Sequence, residues 1–151
     1  MADWYRCRDW DAQREAEFLR RLKRARHQKP QYLVIQALTL VETRRRELAP
    51  HALTLVDRFL QEHYEPLHAS RAFHVRAGAL VMMERWEEAF KAFEDALAAR
   101  RVMPTIIDDA WLEYPLAIAR QRARDRYSRA LQILNEFQSP AALVFPIQQF
   151  T

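Results

Sequence analysis

The chain has 151 residues and half of them are apolar or aromatic, a proportion that supplies a sizeable core for one compact domain and argues against disorder. Glycine occurs once, at Gly78, whereas tight hairpin turns and phosphate-cradling loops need residues that accept positive φ, so the composition argues against all-β folds and against Rossmann, P-loop and glycine-rich kinase-type sites. The formal net charge is +4, and the basic excess lies in residues 1–50, where twelve Lys and Arg stand against seven Asp and Glu.

The N-terminal part of the chain is predicted to form three helices separated by polar or proline-containing connections. The 3.6-residue period of apolar residues predicts helices over about 11–27, 30–43 and 48–63. Asp11 is placed to cap the first helix, and Pro30 marks the start of the second. The arginine run at 44–46 suits the end of the second helix, because basic side chains oppose the negative end of a helix dipole.

The C-terminal part is predicted to continue with helices joined by short connections. The pattern predicts helices over about 66–83, 86–101 and 124–138. Only Glu84 and Arg85 separate the first two of these, which forces antiparallel packing. Thr105 is placed to cap a further helix, with Asp108 in the position of a capping-box acid, and Pro115 is expected to interrupt and kink that helix.

Residues 139–151 form a tail that is apolar but contains two prolines. The prolines exclude a continuous helix, so we expect the tail to be extended. It would either cover the open end of the last helix pair or add to a partner or a second copy of the chain, as an extended peptide can.

A repeated pattern of small and large residues links two of the predicted helices. Trp86, Ala89, Phe93 and Ala96 return 41 positions later as Tyr127, Ala130, Leu134 and Phe137. Such spacing is typical of arrays in which each helix pair buries its apolar stripe against the next pair.

Residues 70–104 resemble a tetratricopeptide repeat. Large, small and large residues occupy the packing positions of its first helix at Phe73, Ala77 and Leu80, those of its second helix lie at Ala89, Phe93 and Ala96, and Pro104 follows. Arg76 stands where the family usually has an aliphatic residue. The aromatic start with Trp4 and Trp10, the basic helix and the Phe145-Pro146 tail are similar to small bacterial proteins of this type.

The resemblance implies an all-α fold, a right-handed stack of antiparallel helix pairs of the tetratricopeptide-like α-solenoid kind. It implies one domain over 1–151, with an N-terminal aromatic segment and helix at 1–29, helix pairs at 30–65, 66–104 and 105–138, and the extended tail at 139–151. It also implies a protein-interaction scaffold without catalytic residues.

In such arrays the first helices of successive pairs line a concave face that binds an extended peptide or a partner helix. The corresponding residues here are Gln31, Val34, Leu38, Glu42, Arg71, His74, Gly78, Met82 and Arg122. Gly78 would let a ligand backbone approach closely, and Arg71 with His74 could hold an acidic group. Alternatively, the tail or the first helix fills this groove.

We favour a protein partner, and a nucleic-acid-binding function is the alternative. The basic residues that could follow a phosphate backbone are Arg20, Arg21, Lys23, Arg24, Arg26 and Lys29, together with the arginine cluster between Arg120 and Arg129. Tyr32 could stack on a base. The spacing of the basic residues also fits a solvated helix face opposite Phe18 and Leu22, which explains them without a ligand.

Neither a metal site nor an active site can be assembled from the sequence. His63, His68 and His74 lack the i, i+4 spacing of a helical metal pair, so we expect no metal and no cofactor. Cys7 is the single cysteine, which excludes an internal disulfide, and a lone cysteine without an assigned base gives no reason to expect an enzyme.

The sequence also bears on location and on the N-terminal aromatic residues. The first residues are charged and lack the apolar run of a signal peptide, so we expect a cytoplasmic protein without a membrane association. Trp4, Tyr5 and Trp10 either pack across the first helix or serve as anchors for a partner. A homodimer is left open.

Overall fold

The computed structural model describes residues 3–138, and within them it contains helices and no strands, which confirms an all-α fold. The α-helices are α1 (Ala12–Arg24), α2 (Lys29–Glu42), α3 (Ala49–Glu62), α4 (Pro66–Met82), α5 (Trp86–Val102), α6 (Ala110–Arg120) and α7 (Tyr127–Phe137). Short 3-10 turns at Arg46–Leu48 and Arg124–Arg126 precede α3 and α7. The extended tail predicted for 139–151 lies outside the described residues.

The chain divides into two compact units, a first unit up to Asp108 and a second unit from Asp109 onward. In the first unit, α2 contacts both α3 and α4, α3 contacts α4, and α4 contacts α5. In the second unit, α6 and α7 contact each other. The helices from α2 to α5 therefore pack on their sequence neighbours, and α2 additionally reaches α4, the helix two positions further along the chain.

The second helices of the first two pairs bury the same pattern of positions. The buried residues of α3 include Ala52, Leu53, Leu55, Val56 and Phe59, and 37 positions later in α5 they correspond to the buried Ala89, Phe90, Ala92, Phe93 and Ala96. Alternation of small and large residues lets neighbouring helices interdigitate. The two hairpins thus use equivalent inward faces.

Non-glycine residues close the turns between the paired helices. Arg44, Glu84 and Arg122 have φ of 60°, 58° and 50°, the left-handed conformation that follows many helix ends. After α4, the Glu84 N–H donates to the Val81 carbonyl at 3.0 Å and the Arg85 N–H to the Leu80 carbonyl at 2.9 Å. These are the bonds of a Schellman motif, and they satisfy carbonyls that the helix end leaves open.

Two predicted helix boundaries are wrong. α1 ends at Arg24 and not at His27. α6 begins at Ala110, so Thr105 does not cap it. The wrong start predicted for α6 has its reason in the first unit. There the Ser70 hydroxyl donates to the Asp108 carboxylate, and Arg100 donates to the Asp108 carbonyl at 2.9 Å. Asp108 is therefore committed to α4 and α5 and is not available as a capping-box acid.

The second unit consists of α6 and α7 around buried aromatic and aliphatic side chains. Tyr114, Ile118 and Ile133 are fully buried. The Arg126 guanidinium donates to the Tyr114 hydroxyl at 3.4 Å, so this buried phenol has a hydrogen-bond partner. Pro115 was expected to interrupt the helix, but α6 continues through it to Arg120.

Candidate partner-binding surfaces

Three of the predicted binding residues lie along one side of α2. Gln31, Leu38 and Glu42 are separated by about two turns and one turn of helix, so their side chains project in similar directions. Glu42 is exposed, and Gln31 and Leu38 are half-buried. This side of α2 carries an apolar side chain between two polar ones.

Four further predicted residues form a stripe on α4. Arg71, His74, Gly78 and Met82 follow each other at three- and four-residue intervals. Arg71 is exposed and the others are half-buried. We call the surface formed by Gln31, Leu38, Glu42, Arg71, His74 and Met82 the α2/α4 face.

Gly78 marks the place where the two stripes meet. A Cβ atom added to Gly78 would lie 3.2 Å from Cγ1 of Val41, which is closer than normal carbon contacts. Val41 is three positions after Leu38 on α2. The absence of a side chain at Gly78 therefore serves the close approach of α2 to α4, whereas the sequence analysis assigned it to the approach of a ligand backbone.

Two predicted residues, Val34 and Arg122, do not belong to the α2/α4 face, and His74 within it also contacts α5. Val34 is only 1% exposed, so it belongs to the core and cannot contact a ligand. The His74 ring packs near the Phe93 ring of α5, with centroids 6.2 Å apart. Arg122 lies in the second unit, in the turn between α6 and α7.

The basic residues of α1 are partly neutralised by an acidic neighbour. Arg20 and Arg21 both bond to Glu17, at 2.6 Å and 2.7 Å. Hydrogen bonds from Arg21 and Arg20 hold the pKa of Glu17 below its usual range. Phe18 and Leu22 are buried on the opposite side, as the solvated-face interpretation predicts.

The remaining basic residues proposed for nucleic acid have mixed surroundings. Lys23, Arg24 and Arg26 are exposed, while the Lys29 ammonium donates to the Lys23 carbonyl at 3.3 Å. Tyr32 was the candidate for base stacking, but its ring packs against Trp4 at 4.8 Å between centroids. Its aromatic face is thus engaged by the chain itself.

The structure also contains a charged groove that sequence reasoning missed. It encloses about 380 Å³ between α3, α4 and α5, and its lining residues are Asp57, Leu60, Gln61, Phe73, Arg76, Glu88, Lys91 and Asp95. None of the predicted binding residues lines it. The available signal was Arg76, which stands where a tetratricopeptide repeat usually has an aliphatic side chain.

Ion pairs within and beside this groove hold its charged side chains in place. The Arg76 Nε donates to the Asp57 carboxylate at 3.0 Å, and both side chains are partly buried. Lys91 pairs with Asp95 at 3.2 Å. A hydrogen bond from Arg85 lowers the pKa of Glu88. Because these charges are satisfied internally, the groove offers no single unpaired charge to a ligand.

The N-terminal segment is fastened to α2 by Gln36, another residue that the sequence analysis did not single out. The Gln36 side chain is fully buried and bonds to both backbone groups of Cys7. Trp10 is 8% exposed and packs against Phe18. Trp4 and Trp10 thus pack on Phe18 of α1 as expected, whereas Tyr5 packs on Tyr32 of α2. The signal for Gln36 was a polar residue within the apolar pattern of α2.

Across residues 3–138, no group of three or more His, Cys, Asp and Glu side chains is arranged to hold a metal ion. The Cys7 thiol donates to the Trp4 carbonyl at 3.5 Å. None of the helices in this part of the chain has the length and apolar character needed to cross a membrane.

The comparisons with known proteins give no match. No protein-family model matches the chain, and no curated protein and no solved structure is significantly similar to it.

Proposed function

We propose that the protein is a non-catalytic interaction module that binds a peptide or a partner helix on the α2/α4 face. The proposal includes a tetratricopeptide-like, right-handed stacking of the helix pairs. The observation that supports it best is the contact at Gly78 and Val41, because it joins the stripes of α2 and α4 into one surface.

The chemistry of this surface fits a protein ligand. Leu38 and Met82 are half-buried apolar side chains, and the exposed Glu42 and Arg71 on the same two helices carry opposite charges. Protein interfaces usually combine apolar side chains with polar ones around them. We expect Leu38 and Met82 to supply most of the binding energy and Arg71 to orient an acidic group of the partner.

The test uses the full chain as bait in an extract of its source cells, followed by binding measurements with each purified partner. Leu38→Asp is the main variant, with Arg71→Ala and Met82→Ala as milder ones. Thr54→Asp is the matched control, because Thr54 is exposed on α3 and its hydroxyl bonds only to the Pro50 carbonyl within the same helix.

We expect Leu38→Asp to weaken the binding of a specific partner by about tenfold or more, since burying an unpaired carboxylate in an interface costs more than about 1.4 kcal/mol. Thr54→Asp should bind like the wild type. A partner that binds both variants equally would refute the proposed surface. Tight binding of mixed-sequence DNA or RNA that weakens steeply with salt, with no protein partner, would favour the nucleic-acid alternative.

A further inference from the structure

The N-terminal segment, residues 4–9, runs along α2 and contacts it at three successive levels. Tyr5 lies against Tyr32, Cys7 against Gln36, and the Arg8 to Asp9 end lies against Arg45 beyond the end of the helix. The chain direction of the segment is therefore the same as that of α2. The segment turns at Trp4 and Tyr5, where the Arg6 N–H donates to the Asp3 carbonyl at 3.0 Å, and it bends at residues 8–9. Contacts to the backbone and to side chains at several levels are also those with which a protein holds a bound peptide.

At the middle level, Gln36 forms hydrogen bonds with the backbone of the segment. The Cys7 N–H donates to Oε1 of Gln36 at 2.9 Å, and Nε2 of Gln36 donates to the Cys7 carbonyl at 2.8 Å. A neighbouring β-strand would form the same pair of bonds with one residue, so Gln36 recognises the backbone groups of residue 7 and not a particular side chain. The Cys7 side chain is not used in this pair.

At the two outer levels the contacts also involve side chains of the segment. The Trp4 ring lies 5.4 Å from Phe18 and 4.8 Å from Tyr32, and the Tyr5 ring lies 4.6 Å from Tyr32. These distances are those of favourable aromatic pairs.

At the other end Arg45 donates to the Arg8 carbonyl and bonds to the Asp9 carboxylate at 3.0 Å. The matching ligand has two adjacent aromatic residues, followed four positions later by an acidic one.

The segment both covers Gln36 and pairs with it. Gln36 is 0% exposed with the segment in place, and its amide donor and acceptor both bond to Cys7. A peptide that replaces the segment must therefore supply the same two backbone bonds, because an unsatisfied polar group under a bound peptide would be costly.

We propose that this side of α1 and α2 is a binding site for a partner peptide of that chemistry, which adopts the turn seen at Trp4 and Tyr5, and that residues 4–9 fill it from within the chain. Leu38 is two positions from Gln36 and therefore points to nearly the opposite side of α2, so the site is distinct from the α2/α4 face. The internal segment acts at an effective concentration of the order of millimolar, and a partner must outcompete it.

The experiment uses the full chain with Trp4→Ala and Tyr5→Ala, which empties the aromatic level while keeping every other residue. The probe is a fluorescein-labelled peptide with the sequence of residues 3–9 and Cys7→Ser, and binding is followed by fluorescence anisotropy. Circular dichroism verifies that the variant keeps the wild-type helix content.

We expect the probe to bind this variant at least about tenfold more tightly than the wild type, whose site is filled. Adding Gln36→Leu should weaken binding by about tenfold, the equivalent of roughly 1.4 kcal/mol for the lost backbone bonds. Adding Arg71→Ala, on the α2/α4 face, should change nothing. Equal binding to wild type and variant, or binding that does not depend on Gln36, would overturn the proposal.

A second measurement covers the case in which the double variant does not fold. Cys7 is the only cysteine, so the rate at which a thiol reagent modifies wild-type protein reports release of the segment. We expect Gln36→Leu to accelerate labelling of Cys7 about tenfold. In the wild type, the unlabelled probe peptide at millimolar concentration should also accelerate the labelling. A probe peptide whose residue 7 amide is N-methylated should have no such effect, because it cannot donate to Gln36. Unchanged labelling in both experiments would contradict the proposal.

Discussion

Replacing Gly78 by alanine tests whether this residue serves the packing of α2 on α4. Two effects oppose each other. In a helix interior alanine is more favourable than glycine by about 1 kcal/mol, because glycine loses more backbone freedom on folding. Against this, the new methyl group would lie 3.2 Å from Cγ1 of Val41, whereas carbon atoms attract best at about 3.5–4.0 Å.

The size of the steric cost follows from the stiffness of Val41. A β-branched side chain in a helix strongly prefers one χ1 rotamer, so Val41 can yield only by leaving it or by shifting the helix. An off-rotamer side chain costs about 0.5–1.5 kcal/mol. We therefore expect Gly78→Ala to leave stability nearly unchanged in the wild type and to stabilise the Val41→Ala variant by about 1 kcal/mol, a coupling of about 1 kcal/mol.

Urea denaturation followed by far-ultraviolet circular dichroism measures all four proteins of this cycle. Ala98→Gly calibrates the helix-propensity effect, because Ala98 is exposed in the interior of α5 and should lose about 1 kcal/mol. If Gly78→Ala has the same effect in both backgrounds, Val41 does not limit the space at Gly78. The packing explanation would then be refuted.

Three further predictions concern stability. Glu84→Gly should stabilise the protein by about 1 kcal/mol in urea denaturation, because Glu84 has φ of 58° and glycine adopts that conformation without strain; a loss would contradict this. In a double-mutant cycle, Asp57→Asn and Arg76→Gln should show a coupling of about 1 kcal/mol, since their bond of 3.0 Å is partly buried, and strict additivity would show that the pair contributes nothing. Burial lowers the pKa of His68, so the unfolded chain takes up a proton before the folded chain as pH falls below about 6.5, and the free energy of unfolding declines. This decline should be smaller in His68→Gln. An equal decline would exclude His68 as its source.

The order and type of the helices were predictable because they depend on neighbouring residues. Among the described residues, apolar periodicity located α1 to α5 and α7, a capping pattern indicated a helix near α6, and the two-residue connection at Glu84 and Arg85 identified the α4–α5 hairpin. The start of α6 was not predictable in this way. Asp108 is held by Ser70, 38 positions earlier, and a capping pattern read over four residues contains no information about that contact.

The candidate surfaces were predictable in outline and not in detail. The spacing of Leu38 and Glu42 placed them correctly on one side of α2. Val34, assigned to the same surface, is 1% exposed and belongs to the core, and the helical spacing does not reveal that burial. The single glycine correctly argued against an all-β fold, but it did not indicate which residues take the left-handed conformation; these are arginine, glutamate and glutamine, whose strain the surrounding hydrogen bonds offset.

The amino-acid pattern alone determined that this chain is helical, where most of its helices lie and which side of each is apolar, because these properties arise from interactions within one or two turns. Only the tertiary structure decided what each apolar or polar side chain meets. Gly78 packs against Val41, Gln36 forms hydrogen bonds with the backbone of Cys7 from 29 positions away, and Arg76 of α4 forms an ion pair with Asp57 of α3. Such pairings depend on how whole helices approach each other, and helical periodicity specifies a direction for each side chain without specifying its partner.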